Sequence, residues 1–289
     1  MINRSGRVRS EVKVAWNSEI VDNELLDGLT EIAIEAAAAI LAVQGGNLRR
    51  REKADQSPVT AADEASEAVI LEGLAKLMPD VAVISEEATG HHRPAALGQR
   101  YFLVDPLDGT REFLAGRDEF TVNIALMENG APIVGVVAAP ARNLIWRGIA
   151  GFGAERLTPA AGAASNASGR REPIRTRRCP ATGARVLISR SHLDEGTVAY
   201  IGRLPQPEQI ACGSSLKFCL IAEGSADLYP RLAPTSDWDV AAGHAVLLAA
   251  GGDVMAPDGG PLRYGESDLI LPSFIAYGDR GTPPPTQSW

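Results

Sequence analysis

Leu25, Leu29, Ile32, Ala36 and Ile40 recur at spacings of four and three, the stripe of one helical face, and Gly45-Gly46 follows as a left-handed cap. Thr60-Ala-Ala-Asp63 reads as a capping box opening a second helix. Its apolar side carries Ile70, Leu74, Leu77 and Met78, and Pro79-Asp80 stops it. Val81 to Ile84 is then a short strand delivering Ser85-Glu86-Glu87, and residues 88–100 form a surface loop. Tyr101 to Val104 is a second strand running into Asp105-Pro-Leu-Asp-Gly-Thr110. Phe120 to Met127 and Ile133 to Val137 flank Glu128-Asn129-Gly130, and Asn-Gly between two such runs predicts a hairpin. Leu144 to Ile149 adds a third antiparallel strand.

A small, polar stretch from Gly162 to Arg171 marks a lobe boundary, and beyond it the pattern becomes strand–helix alternation. Val186 to Ser189 is a strand, Ser214 to Ala222 a helix stopped by Gly224, and Ala226 to Tyr229 a strand. Trp238 to Ala250 is a helix stopped by Gly251-Gly252, Asp258-Gly259 a turn, and Pro283 to Pro285 part of a disordered tail. The expected organisation is an antiparallel α+β lobe over residues 1–160 and a smaller α/β lobe over residues 175–289.

At 289 residues the chain has ample length for a buried core in one large domain or two lobes. Its 28 basic against 36 acidic residues give a net charge of −8, which argues against a nucleic-acid polymer as partner. It leaves room for a small anion, because metal ions can invert the field of an acidic pocket. The longest greasy stretch, Ala36 to Val43, falls far short of the roughly 20 residues that span a bilayer, so no transmembrane segment is expected. Met1 to Lys13 lacks the apolar core of a signal peptide. Cys179, Cys212 and Cys219 form no C-x-x-C pair and suit free thiols in a reducing cytosol.

Glu86 follows one predicted strand, Asp105 and Asp108 follow another, and Asp239 begins a late helix. Strand ends and helix starts are where α/β folds place sites. Carboxylates converging there repel one another unless cations neutralise them, and hard oxygen donors suit Mg²⁺. Pro106 fixes a turn so that Asp105 and Asp108 can point at one centre beside the Leu107 carbonyl. Gly109 lets the backbone approach a ligand, and Thr110 to Leu114 can start a helix whose N–H groups receive a phosphate. Each piece also has an ordinary reading. Asp-Gly is usually a turn, Asp63 a capping acid, Asp239 a first-turn acid and Glu86-Glu87 solvated surface. Their joint occurrence is what points to chemistry.

Glu86-Glu87, Asp105-Pro-Leu-Asp-Gly-Thr110 and Trp238-Asp239-Val-Ala-Ala-Gly243 together resemble the paired signatures of the inositol monophosphatase superfamily, lithium-sensitive and Mg²⁺-dependent phosphomonoesterases. The resemblance runs from about residue 25 to about residue 275. It implies an α+β fold, the layered α-β-α-β-α sandwich of the inositol monophosphatase and fructose-1,6-bisphosphatase type. It also implies two or three Mg²⁺ ions held by Glu86, Asp105, the Leu107 carbonyl, Asp108 and Asp239, with Asp63 and Thr110 activating the attacking water.

Ser189-Arg-Ser-His192, the run Gly213-Ser-Ser-Leu-Lys217 continuing to Gly224, and Tyr229-Pro-Arg231 are similar to the 3′(2′),5′-bisphosphate nucleotidase branch. That implies a small-molecule bisphosphate nucleotide as substrate. Its contacts would be Ser189, His192, Gly213, Ser214, Ser215, Lys217 and Arg231, together with Glu86, Leu107, Asp108, Gly109, Thr110 and Asp239. Two features agree physically. Arg231 offers a guanidinium where sugar hydroxyls would call for an acid, and Lys217 in a first helical turn opposes the macrodipole, a placement an anionic ligand explains. The alternatives are a sugar-phosphate or inositol-phosphate phosphatase of the same fold, and a metal-bound scaffold without turnover. Asp63 and Thr110 argue against the scaffold, because binding alone needs no water-activating pair. His244 is expected to pack in the core, Cys212 and Cys219 to act as buried small hydrophobes, and Asp237 to face solvent. His91-His92-Arg93 carries no motif, and Arg170 to Arg178 is a solvated face or an anion-docking patch. The expected setting is the cytoplasm, including the cytoplasmic side of the inner membrane, and the expected assembly a monomer or homodimer.

Overall fold

The computed structural model describes residues 21–44, 50–52, 58–89, 98–160, 169–266 and 268–279; Gly45-Gly46, His91-His92-Arg93 and Pro283 to Pro285 lie outside the described residues. α1 (Asn23–Gln44) is joined through a two-stranded hairpin, β1 (Arg50–Glu52) and β2 (Pro58–Thr60), to α2 (Ala61–Leu77). A seven-stranded sheet follows, in the order β3 (Ala82–Ser85), β4 (Arg100–Asp108), β5 (Thr121–Glu128), β6 (Ala131–Ala139), β7 (Leu144–Ile149), β8 (Gly153–Thr158) and β9 (Arg170–Ile174). Short helices α3 (Glu86–Thr89) and α4 (Thr110–Leu114) leave the ends of β3 and β4.

The second half builds a five-stranded sheet from β10 (Arg185–Ser189), β11 (Glu208–Cys212), β12 (Leu228–Arg231), β14 (Asp253–Met255) and β16 (Phe274–Tyr277). Its order is β11-β10-β12-β16-β14, with β10 parallel to both its neighbours and the other pairs antiparallel. Helices α5 (Glu195–Ile201), α6 (Leu216–Ala222) and α7 (Asp237–Ala249) lie between these strands in sequence, and β13 (Thr235–Ser236) pairs with β15 (Ile270–Leu271) beside the start of α7.

Three apolar clusters define the layers. Leu29, Ala36 and Ile40 of α1 and Ile70 and Leu74 of α2 pack on Phe102, Val122, Ile124 and Val136, one face of the large sheet. Its other face, including Leu103, Ala125 and Met127, meets α6 and α7, whose far sides meet Leu187, Tyr229 and Phe274 of the small sheet. Tyr200 and Ile201 of α5 cover the outer face of the small sheet at Val186, Leu228 and Ile275. The stack is therefore helix, sheet, helix, sheet, helix, as the resemblance implied. The middle helix layer is apolar on all sides because it is buried on all sides. At Gly243 a Cβ would stand 2.5 Å from the Phe218 ring, so only glycine lets α7 seat against α6.

The predicted hairpin is present: Asn129 and Gly130 take φ of 53° and 76°, the double left-handed geometry of a tight two-residue turn. Capping places Thr60 at the head of α2 as expected, with Asp63 accepting from the Thr60 N–H at 2.8 Å. Other expectations change. Part of the predicted loop is helical, since α3 covers Glu86–Thr89. The predicted strand at Tyr101 does not stop at Val104 but continues to Asp108. The boundary predicted at Gly162 to Arg171 overlaps β9, whose Arg170, Arg171 and Glu172 pair with Thr158, Leu157 and Arg156. In the Arg-rich stretch, Arg170 pairs with Glu172 and Arg177 grips the buried Asp227 through two nitrogens, both at 2.8 Å. Arg170 is thus paired at the surface and Arg177 on a buried carboxylate. His244 is a core residue, bonded to the Tyr264 hydroxyl at 2.8 Å and Asp253 at 3.1 Å, and Cys212 and Cys219 are buried free thiols.

Candidate active site

The acids meet because of one irregularity in β4. Along a regular strand, residues three apart point to opposite faces. Between Asp105, opposite Asn123, and Asp108, opposite Thr121, the register shifts by one residue. That bulge restores the parity, so both carboxylates can address one side. Pro106 sits inside the bulge, where its missing N–H costs no ladder bond, and its carbonyl accepts from the Ser66 hydroxyl at 2.7 Å. Parallel pairing of Ser85 with Val104 brings the next residue, Glu86, alongside Asp105. Glu67 on α2 fixes that corner by accepting from the Ser85 hydroxyl and, at 2.9 Å, from the Ala88 N–H. Asp239 enters from α7, where one oxygen accepts from the Ser236 N–H at 3.3 Å and from the Thr235 hydroxyl.

Burial, and then the charges of Glu86, Asp108 and Asp239, push the Asp105 carboxyl well above its ordinary value. Burial and Asp239 push Asp108 up to about 7, against the opposing pull of Lys217. Among the described residues no three His, Cys, Asp or Glu side chains close into a ready-made cage, yet these four acids are near enough to raise the proton affinity of Asp105 and Asp108. Like charges with no cation between them repel and stand apart. The donor set is carboxylate oxygens with a main-chain carbonyl nearby, which fits a hard divalent cation.

Asp63 serves two partners. Its Oδ2 caps α2, accepting from the Thr60 N–H and, at 2.7 Å, from the Thr60 hydroxyl. Its Oδ1 stands 3.3 Å from the Thr110 hydroxyl, which is also 3.3 Å from the Leu107 carbonyl. Gly109 makes the corner with φ of 90°, and a Cβ there would stand 2.9 Å from the Glu119 carbonyl oxygen. Only glycine fits both the left-handed backbone and the close approach.

The acids share one cleft of about 430 Å³ with Ser189, His192, Gly213, Ser214, Lys217 and Arg231. Lys217 is buried, with its ammonium donating to the Cys212 and Ser214 carbonyls at 3.3 and 2.5 Å and lying 4.9 Å from the centre of the Tyr229 ring. Arg231 donates through Nη2 to the Pro234 carbonyl at 3.1 Å, while its buried Nε has no acceptor among the described residues. His192 is exposed as a residue, but desolvation of its ring and the charges of Arg231 and Arg111 hold the imidazole below its usual value. Gly213 is pinned across the cleft, its N–H donating to Glu119 at 2.9 Å, and Arg190 clamps the same carboxylate at 2.7 and 2.8 Å.

Most of the residues expected from the sequence converge here. Glu86, Asp108, Gly109, Thr110 and Asp239 line the cleft with Ser189, His192, Gly213, Ser214, Lys217 and Arg231, while Asp63, Asp105 and Leu107 lie directly behind. Ser215 does not reach it: wholly buried, it donates its N–H to Asp108 at 2.6 Å and its hydroxyl to Asn123 at 2.6 Å. Asp237 does not face solvent either. It is buried, accepts from the Gly265 N–H at 2.6 Å, and burial raises its carboxyl to about 6. Asn123 and Thr121, which hold Ser215 and Asp108 in place, were not anticipated. Their signal was present: two polar residues alternating within the otherwise apolar run that pairs with Asp105 and Asp108.

Fold and site define a class, and the chain belongs to the inositol monophosphatase family, whose model matches residues 22–281. Within it, the Escherichia coli 3′(2′),5′-bisphosphate nucleotidase CysQ is 45% identical over 253 residues, covering 86% of this chain and 98% of that protein. The crystal structure of CysQ from Bacteroides thetaiotaomicron, a bacterial member of the inositol monophosphatase family, superposes with a TM-score of 0.71 at 33% identity, covering 89% of this chain and 98% of that one. An inositol monophosphatase from Anabaena gives 0.68 at 28% identity, covering 89% and 91%. Divalent-metal dependence goes with this membership.

Proposed function

We propose that the chain hydrolyses 3′-phosphoadenosine 5′-phosphate to AMP and phosphate, with 3′-phosphoadenylyl sulfate as a second substrate. The observation that carries this reading is one cleft lined both by acids and by Lys217, His192 and Arg231. The acids suit cations around a scissile phosphate; the basic side chains suit a second anionic group, which an inositol ring lacks. The similarity to bisphosphate nucleotidases supports the same choice.

Glu86, Asp105, Asp108, Asp239 and the Leu107 carbonyl would hold two or three Mg²⁺ ions. When bound, these supply charge neutralisation on the phosphoryl oxygens and a more acidic water. The protein's own part is positioning and proton transfer. Thr110 donates its hydroxyl proton to Asp63 Oδ1 and offers a lone pair to the water, which sets the water's orientation for in-line attack. The new bond runs from water oxygen to phosphorus, the bond to the 3′ oxygen breaks, and the water proton passes toward Thr110 and Asp63. The leaving alkoxide takes up a proton from solvent. Gly109 and Thr110 present their backbone N–H groups to the phosphoryl oxygens. No covalent intermediate is needed. The free thiols fit a reducing cytosol, which we propose as the setting.

Mg²⁺-dependent phosphate release should be compared for 3′-phosphoadenosine 5′-phosphate, inositol 1-phosphate and fructose 1,6-bisphosphate. A kcat/KM preference for the nucleotide is expected, and Arg231→Glu should reduce it far more for the nucleotide than for inositol 1-phosphate. A preference for inositol 1-phosphate would overturn the assignment while leaving the metal chemistry in place.

A further inference from the structure

The cations around the cleft differ in what holds them. Arg190 is neutralised by Glu119, and Arg117 faces Glu112 at 4.0 Å. Arg111, Lys217 and Arg231 line the cleft with no carboxylate within 4.0 Å among the described residues. Lys217 bonds to carbonyls and Arg231 to one carbonyl. Arg111, exposed on α4, reaches across instead to His192, with Nη1 3.2 Å from the imidazole Nε2. A guanidinium only donates, so Nε2 offers its lone pair and the ring proton sits on Nδ1. An exposed arginine is ordinarily solvated; this one is bonded to a neutral acceptor that leaves its charge unspent, and the contact joins the end of β4 to the loop after β10.

We infer that Arg111 is a specificity-determining residue: with His192 as its partner and Arg231 alongside, it holds the phosphate of the substrate that is not cleaved. The inference rests on the nucleotidase reading. Cations at the acids serve the scissile phosphate, so the three arginine and lysine charges exceed what the monophosphate of a neutral polyol presents. A second phosphate dianion matches them. Arg111 follows Thr110 directly, yet the Thr110 hydroxyl meets Asp63 while the Arg111 guanidinium meets His192, so the two neighbours are engaged with different parts of the site.

The test compares kcat/KM for 3′-phosphoadenosine 5′-phosphate and for adenosine 3′-monophosphate, which lacks the second phosphate, in wild type, Arg111→Gln and Arg111→Lys. In Arg111→Gln the ratio of the two is expected to fall by about tenfold to a hundredfold, mainly through KM, as for loss of a charge-assisted contact. Inhibition by AMP, which retains that phosphate, should weaken by a similar factor. Arg111→Lys should recover part of both. Equal losses on the two substrates, or an unchanged ratio, in an enzyme that still prefers the bisphosphate would overturn the role of Arg111 and leave the nucleotidase reading standing. A wild type that shows no preference for the bisphosphate would refute both.

Discussion

Asn123→Ala probes how the site's acids are held. Asn123 is wholly buried, donating to Asp108 Oδ2 over a long 3.4 Å and accepting from the Ser215 hydroxyl at 2.6 Å. Ser215 in turn gives Asp108 its closest contact, the 2.6 Å bond from its N–H. Alanine therefore removes a weak direct bond and one of the two partners that fix Ser215, leaving Thr121 at 2.8 Å. A buried group losing one partner costs about 1–3 kcal/mol of stability. Loss of a residue supporting a metal ligand typically weakens metal affinity by about 10- to 100-fold, so the half-saturating Mg²⁺ concentration should rise at least about tenfold, or ~1.4 kcal/mol. Turnover at saturating Mg²⁺ should fall less than metal affinity does. The assay is a Mg²⁺ titration of phosphate release beside Mn²⁺ calorimetry, with near-ultraviolet circular dichroism to verify the fold. A folded variant with unchanged metal dependence would refute the supporting role of Asn123.

Other outcomes follow from the same geometry. Asp108, raised to about 7 by burial and Asp239, keeps its proton below that pH; the apparent Mg²⁺ dissociation constant, measured by calorimetry, should climb about tenfold per unit below about pH 7. The same raised value means the metal-free fold binds more protons than the unfolded chain between the ordinary carboxyl range and about 7, so its stability falls as pH rises through that window. Mg²⁺ should accordingly raise Tm more at about pH 8 than at about pH 6. Asp63→Asn keeps an acceptor for the Thr60 cap but not the base; Tm should change by only a few degrees while kcat drops at least about a hundredfold in steady-state assays. Gly109→Ala must strain a left-handed backbone against the Glu119 carbonyl and should lower both Tm in thermal melts and kcat/KM.

What was legible in the sequence was what short spacing encodes. The Thr60–Asp63 box, the Asn129-Gly130 turn and the stripe on α1 depend on residues within a turn or two of each other, and all three form as expected. The acids of the cleft were legible through family resemblance, and the ordinary reading of Asp63 and Asp239 as capping acids also holds, since Asp63 caps its helix while facing Thr110 and Asp239 caps its helix while lining the cleft. Long-range supports were not legible. Ser66 to Pro106, Glu119 to Gly213 and Asn123 to Ser215 join residues 40, 94 and 92 positions apart, and no local periodicity announces such pairs. The β4 bulge was missed because Pro106 and Gly109 read as a turn, whereas the strand absorbs the proline at an irregular register. Asp237 misled because an acid at a helix start usually faces water; here the Gly265 N–H and the strand pair β13–β15 cover it.

One cleft that holds cations on its acids and a second phosphate on its basic side chains can be seen loaded in crystals grown with Mn²⁺ and AMP. Manganese anomalous peaks are expected among Glu86, Asp105, Asp108 and Asp239, with the AMP phosphate against Arg231, Arg111 and His192. Manganese bound elsewhere, or the AMP phosphate lying over the metals with its adenine on the basic side chains, would contradict that expectation.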